Sequence, residues 1–172
     1  MSDVLRTERL ALHPVSMSDH GALLAHWTGP QVRRHLFDGA ALSPAQVTEV
    51  IASSQRDFAT EGYGLWGLRD AGVGAGGTLP DGDLIGVAGL RGHGADVEIV
   101  YSLQPDRWGR GLAAEAGRAV LEYAFEVLRL RRVTAEIDAG LADVLGMRPH
   151  GGDGHYAAER SGWYGSRHTV DV

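Results

Sequence analysis

The sequence predicts a mixed α/β fold of the α+β kind: a mostly antiparallel sheet with one long helix against a face. Three observations predict it. Apolar, β-prone runs at 63–68, 84–90 and 97–103 follow one another with no helical pattern between them, as in an antiparallel meander. Around Pro105 a strand pattern, a long amphipathic pattern and another strand pattern follow in series, which calls for one parallel step. Leu112, Ala116, Ala119, Val120, Tyr123, Ala124 and Val127 recur at helical spacing and make one apolar stripe.

Taken in order, Thr7-Glu-Arg-Leu-Ala-Leu-His13 alternates polar and apolar residues and reads as a first strand. Ser18 or Asp19 is placed to cap a helical segment at Ala22–Trp27, which Gly29-Pro30 breaks. Ser43-Pro-Ala-Gln46 has the form of a capping box with proline at the first helical position, so a helix should run to about Thr60. Tyr63–Leu68 and Leu84–Leu90 read as paired strands. The Gly-rich stretch between them, Asp70–Asp83, superficially has the look of a dinucleotide fingerprint; no helix follows it, so it reads as a hairpin connection. Val97–Leu103 is the next strand, closed by Pro105, and the long helix covers about Gly111–Leu128. Arg131–Asp138 reads as a strand and Leu141–Leu145 as a short helical segment. Two closing strands are expected, one near Met147–His150 or Tyr156–Arg160 and one within Ser166–Val172.

At 172 residues the chain fits a single domain, 1–172, with a substantial core. No window reaches the roughly 18 unbroken apolar residues of a membrane span, and the first residues lack the layout of a signal peptide. There is no cysteine, so disulfides, thiolate nucleophiles and cysteine metal sites are excluded, and a cytoplasmic setting fits. The net charge of −6 argues against nucleic acid as a partner and is compatible with an amine substrate. All 16 basic residues are arginine and asparagine is absent, so no mechanism here can use lysine or asparagine.

The stretch Tyr101-Ser-Leu-Gln-Pro-Asp-Arg-Trp-Gly-Arg-Gly-Leu-Ala-Ala-Glu-Ala116 carries the most information. A strand stops at a proline, a turn bearing glycine and arginine follows, and a helix begins. Unpaired N–H groups and roughly half a positive charge sit at such a helix start, which suits a phosphate. Gly109 and Gly111 let backbone approach the anion, and Arg107 and Arg110 can add charged contacts. Read blandly, the same residues make a strand-to-helix turn with solvated arginines.

Thr7-Glu-Arg-Leu10, Leu84-Ile-Gly-Val-Ala-Gly-Leu90, Pro105–Ala116 and Leu145-Gly-Met-Arg148 appear in one order along the chain. With them the sequence resembles the GNAT superfamily of acyl-CoA-dependent N-acetyltransferases, and within it the RimJ/RimL branch. The resemblance implies a bacterial, cytoplasmic acetyltransferase. Its sheet should have six to seven strands, mixed and mostly antiparallel, flanked by about four helices, with splayed central strands forming a cleft for coenzyme A. It implies acetyl-CoA as co-substrate, no metal, and a small-molecule or peptide amine as acceptor. A homodimer is compatible with the branch; nucleic acid and membrane are not expected partners. Carried over, the pyrophosphate cradle is Arg107, Trp108, Gly109, Arg110, Gly111, Leu112 and Ala113, and the pantetheine arm lies against the backbone of Val100, Tyr101, Ser102 and Leu103. Asp106 stands where the wider superfamily prefers Gln or Arg.

Acyl transfer to an amine needs a base, a donor to the oxyanion and an acid for the leaving thiolate. Glu98 is the candidate base, acting through water; equally it reads as a charged residue on the solvent side of a strand. Glu115 matches an acidic residue of the family, although an acid in a first helical turn is explained by the helix dipole alone. Tyr101 and Ser102 are further donors. Trp27, Tyr63, Trp66 and Trp108 line either an acceptor pocket or the core. Among eight histidines the one local grouping is His150 and His155 with Asp153, more consistent with a surface loop than a metal site. After Asp138 the family runs through an Asn-containing turn into a helix of some three turns. Here Asp138-Ala-Gly140 leads almost directly into Leu141–Met147, so the family's Asn is missing, and so is most of the first half of the helix that often bears its acid. Tyr156 is then the candidate acid. Two readings stand: an active N-acetyltransferase, or a catalytically impaired protein of this shape that binds acyl-CoA or a protein partner without turnover.

Overall fold

The first expected strand is in fact a small hairpin, because Thr7 turns the chain. The Thr7 N–H donates to the Leu10 carbonyl at 2.9 Å and the Leu10 N–H to Thr7 Oγ1 at 3.0 Å. The turn leaves β1 (Leu5–Arg6) antiparallel to β2 (Leu10–Pro14). The structure, a computed structural model, describes residues 4–33, 42–72 and 81–163.

A 3₁₀ turn (Met17–Asp19) leads into α1 (His20–Thr28), which starts two residues before its first expected position. Neither Ser18 nor Asp19 caps it with a side chain. The Asp19 carboxylate instead accepts from the Ser16 N–H at 2.9 Å and from the Arg69 guanidinium at 2.7 Å. α2 is the single turn Pro30–Arg33. α3 (Pro44–Glu61) has the expected reciprocal cap: the Gln46 N–H donates to Ser43 Oγ at 3.2 Å and the Ser43 N–H to Gln46 Oε1 at 2.8 Å.

The sheet has eight strands among the described residues, more than the six to seven expected, in the order β1-β2-β3-β4-β5-β6-β8-β7. β3 (Leu65–Asp70), β4 (Leu84–His93) and β5 (Asp96–Leu103) form the antiparallel meander. The stretch 70–83 therefore does join two paired strands. Its ends are tied by Gly82 N–H to the Asp70 carbonyl at 2.8 Å, and its residues 73–80 lie outside the described ones. β6 (Arg132–Glu136) pairs parallel with β5, the one parallel step among the described residues. Both places proposed for the first closing strand are strands: β7 (Arg148–Pro149) pairs with β8 (His155–Glu159), which pairs with β6. The strand expected within Ser166–Val172 lies outside the described residues.

Two glycines in β4 permit this strand order. A Cβ on Gly89 would stand 2.3 Å from the Gly64 carbonyl oxygen, and one on Gly86 would stand 2.4 Å from that of Ser102. No side chain fits at either place, so glycine is what lets three strands close on one another here.

α4 (Leu112–Glu122) continues as a π-helical turn (Tyr123–Val127), together spanning the expected long helix. Of the expected stripe, Leu112, Ala116, Val120 and Ala124 are buried in one cluster with Trp66, Leu90, Ile99 and Val133, and Ala119 and Tyr123 pack against it. Val127 is exposed, because the π-helical turn shifts the register and buries Phe125 instead. α5 (Ala139–Val144) brings the count to five helices among the described residues, against about four expected. The opposite face of the sheet packs Val15, Leu84 and Val87 under Leu23, Trp27, Val47 and Ile51 of α1 and α3. No helix among the described residues is long and apolar enough to cross a membrane.

Candidate active site

β5 has unequal edges, and this makes the site. It pairs with β4 along its length but with β6 only at Glu98–Thr134 and Ile99–Ala135. β6 ends at Glu136, and Asp138 then caps α5 through the Leu141 N–H at 2.9 Å, which carries the chain away. A cleft of ≈1120 Å³ opens beyond Ile99. Val100, Tyr101, Ser102 and Leu103 form one bank; Ile137, Asp138, Gly140 and Leu141 form the other.

The ladder fixes which backbone groups face that cleft. The Gln104 N–H donates to the Ile85 carbonyl at 2.8 Å, so Gln104, Ser102 and Val100 spend their backbone groups on β4. Opposed residues alternate in an antiparallel pair, so Tyr101 and Leu103 turn theirs the other way. The Leu103 carbonyl accepts from Trp108 Nε1 at 2.8 Å. The two banks thus offer an extended ligand a short strand edge, on which the Leu103 carbonyl is already taken by Trp108.

At the far end the cleft meets the start of α4. A 3₁₀ turn (Pro105–Arg107) is followed by Gly109 and Gly111, both at φ 75°, and then by the first helical residue, Leu112. That left-handed backbone is strained for any residue with a Cβ. Trp108, Gly109, Gly111, Leu112 and Ala113 line the cleft here. Arg107 also reaches it, while its guanidinium is paired with the Asp70 carboxylate at 2.7 Å. The Arg110 side chain is exposed and is not among the lining residues; its carbonyl accepts from the Arg9 guanidinium at 2.8 Å.

That last contact gives the first matching stretch a role that its sequence did not disclose. Glu115 accepts from Thr7 Oγ1, from the Arg9 N–H at 2.9 Å and from Arg9 Nε at 2.7 Å. Burial raises the Glu115 pKa, and these hydrogen bonds from Thr7 and Arg9 outweigh it and hold the carboxyl below its ordinary value. Glu115 is therefore a clamp, beyond any interaction with the helix dipole.

Glu98 stands at the closed end of the cleft with its carboxylate paired to Arg91 at 3.0 Å across the β4–β5 ladder. Ser102 is buried and points to the α1 side, where its Oγ meets His26 Nε2 at 2.9 Å and Trp27 Nε1 at 3.2 Å. His26 was one of six scattered histidines in the sequence; nothing short of the fold pairs it with Ser102. Burial lowers its pKa to about 4 against the opposing pull of Gln104 and the Ser102 backbone, so the ring is neutral at pH 7. Tyr101 is shifted up, by burial first and by the Asp138 charge second.

The structure does not bring Tyr156 to this site. It lies on β8, across β6 from β5, packs against the α4-side core and is not among the cleft-lining residues. Of the four aromatics considered for an acceptor pocket, Trp27, Tyr63 and Trp66 are core, and Trp108 alone lines the cleft. His150 and His155 belong to the β7–β8 turn, where the His150 N–H donates to the His155 carbonyl at 2.9 Å. Among the described residues no group of three or more His, Asp or Glu side chains could hold a metal ion.

Known proteins resemble the chain along most of its length. Residues 9–142 match the family model of the acetyltransferase (GNAT) domain. The uncharacterized N-acetyltransferase p20 of Bacillus licheniformis is 26% identical over 139 residues, covering 79% of this chain and 74% of p20. An acetyltransferase from Agrobacterium tumefaciens strain C58 superposes with a TM-score of 0.70 at 24% identity, covering 91% of this chain and 93% of that one. The ribosomal L7/L12 α-N-protein acetyltransferase RimL, solved with coenzyme A, superposes with a TM-score of 0.68 at 12% identity, covering 93% and 99%.

Proposed function

The chain belongs to the GNAT acetyltransferase family, and from that premise we propose that it moves an acetyl group from acetyl-CoA to a primary amine by direct attack on the thioester. One observation carries the reading: β5 and β6 part at Ile99, and the cleft between them runs to a glycine-lined helix start. An extended thioester with a pyrophosphate at its other end matches those two features in that order. The pyrophosphate would take the N–H groups from Gly109 to Ala113, with Arg107 beside it. The pantetheine amides would pair with the outward backbone of Tyr101 and the Leu103 N–H, as an added strand does. The coenzyme A complex of RimL, a neighbour in fold, is consistent with this use of the cleft.

In the reaction the amine nitrogen bonds to the carbonyl carbon and the carbon–sulfur bond breaks. Glu98 takes the ammonium proton through water, and the backbone N–H of Tyr101 or Val100 is the donor to the oxyanion. Of these two, the ladder leaves that of Tyr101 free. As the thiolate leaves, the nitrogen gives up its second proton to water and the thiolate takes one from water, so the products are the amide and the free thiol. The acceptor is a protein N-terminus or a small amine, and the chain is a RimJ/RimL-like member of the family.

The shortness of α5 favours a second reading, binding of acyl-CoA or a protein partner without turnover. One experiment separates them: titration with acetyl-CoA, then a thiol-release assay over an amine panel that includes N-terminal peptides. Binding with release supports the first reading, and binding with no release on any amine supports the second. An absence of binding overturns both coenzyme A readings.

A further inference from the structure

We propose that the Ser102 hydroxyl is a preset hydrogen-bond donor to the acyl-thioester ligand in the cleft, aimed by His26 and Trp27. The inference rests on the acetyl-CoA reading above and adds a side-chain contact to its backbone ones. Ser102 lines the cleft and is 8% exposed, while its Oγ meets His26 and Trp27 on the α1 side, so the residue bridges the α1-side core and the ligand space.

A hydroxyl oxygen has two lone pairs and one proton. The indole Nε1–H of Trp27 can only donate, so it fills one lone pair at 3.2 Å. The second contact is His26 Nε2 at 2.9 Å, and its direction depends on the tautomer. His26 Nδ1 is buried with no partner. A buried N–H without an acceptor is rarer than an acceptor left bare, so the proton belongs on Nε2, which then donates to Ser102. With both lone pairs filled by buried donors, the Ser102 proton is left for a third partner, here the ligand in the cleft that Ser102 lines. Donors already received by an oxygen polarise its own O–H and strengthen what it gives.

His26 is a positioning residue in this scheme and Ser102 the contact. The test measures coenzyme A and acetyl-CoA affinity by calorimetry, with a thermal melt of each variant. Ser102→Ala should weaken coenzyme A about tenfold and Ser102→Thr should stay within about threefold of wild type. His26→Gln keeps an N–H near the Nε2 place and should bind within about threefold, whereas His26→Leu should match Ser102→Ala. Because both act through one hydroxyl, the double variant Ser102→Ala/His26→Leu should be no weaker than Ser102→Ala. Should Ser102→Ala fail to fold, the comparison of His26→Gln with His26→Leu decides. Wild-type affinity in Ser102→Ala, losses that multiply, or equal losses in the two His26 variants overturn the inference. A wild-type chain that does not bind coenzyme A overturns the acetyl-CoA reading and this inference together, whereas an indifferent Ser102 in a chain that binds overturns this one alone.

Discussion

Glu115 holds the Arg9 guanidinium at 2.7 Å, and Arg9 in turn reaches the Arg110 carbonyl at 2.8 Å. A turn at the start of the chain is thereby fastened to the loop that would carry a pyrophosphate.

Glu115→Ala should loosen that loop. The carboxylate is 17% exposed and accepts three hydrogen bonds, so its loss should lower stability by about 1–3 kcal/mol and weaken coenzyme A binding as well. Its folded pKa lies below the ordinary value of 4.5. A depressed carboxyl stabilises fully above the unfolded pKa and loses that contribution only as pH falls through the folded one. The stability difference between wild type and Glu115→Ala should therefore be constant near neutrality and shrink below that window. Denaturant melts at several pH values read it; a difference independent of pH down to acid unfolding would remove the charged clamp from the account.

Gly89→Ala and Gly86→Ala should each destabilise by about 1–3 kcal/mol or more, since the new methyl meets backbone that cannot swing away. For Gly86 the obstacle is the Ser102 carbonyl, on the strand that lines the cleft, so this variant should lose ligand affinity along with melting temperature. For Gly89 the obstacle is the Gly64 carbonyl and Leu65 Cα, and the loss should be in stability. Ordinary melting curves for both would contradict the close approach.

Gly111→Trp should abolish coenzyme A binding while leaving a folded chain. The residue sits at φ 75° on the cleft floor, where a large side chain occupies the space an anion needs. Gly111→Ala, which brings the strain and little bulk, should bind more weakly than wild type but measurably. Calorimetry with coenzyme A checks both, and unchanged affinity in Gly111→Trp would defeat the placement of the cofactor.

How far the sequence could be read follows from what each signal depends on. α3 and α4 were legible because caps and apolar stripes are local: Ser43 and Gln46 are three residues apart, and the α4 stripe lies within one element. The parting of β5 from β6 was expected from the family resemblance, and its place at Ile99 is visible only in the register. Long-range pairs were not legible at all. Nothing local couples Arg9 to Glu115, Arg107 to Asp70 or His26 to Ser102, since each partner is chosen by strand order. Tyr156 had the right functional group, but β8 lies beyond β6 and turns it toward the core.

Glu98 has two roles to separate, proton acceptor and cross-strand partner of Arg91. As a base, Glu98→Gln should lower kcat by about 10²–10⁴ with acetyl-CoA affinity unchanged, because the amide keeps the shape and cannot take a proton. As a cross-strand partner alone, Glu98→Gln and Arg91→Gln should lose the same small stability, about 0.2–1 kcal/mol, and neither should change kcat. The pair of variants decides: a fall in kcat confined to Glu98→Gln assigns the proton to this carboxylate, and equal, activity-neutral losses leave it a structural ion pair at the closed end of the cleft.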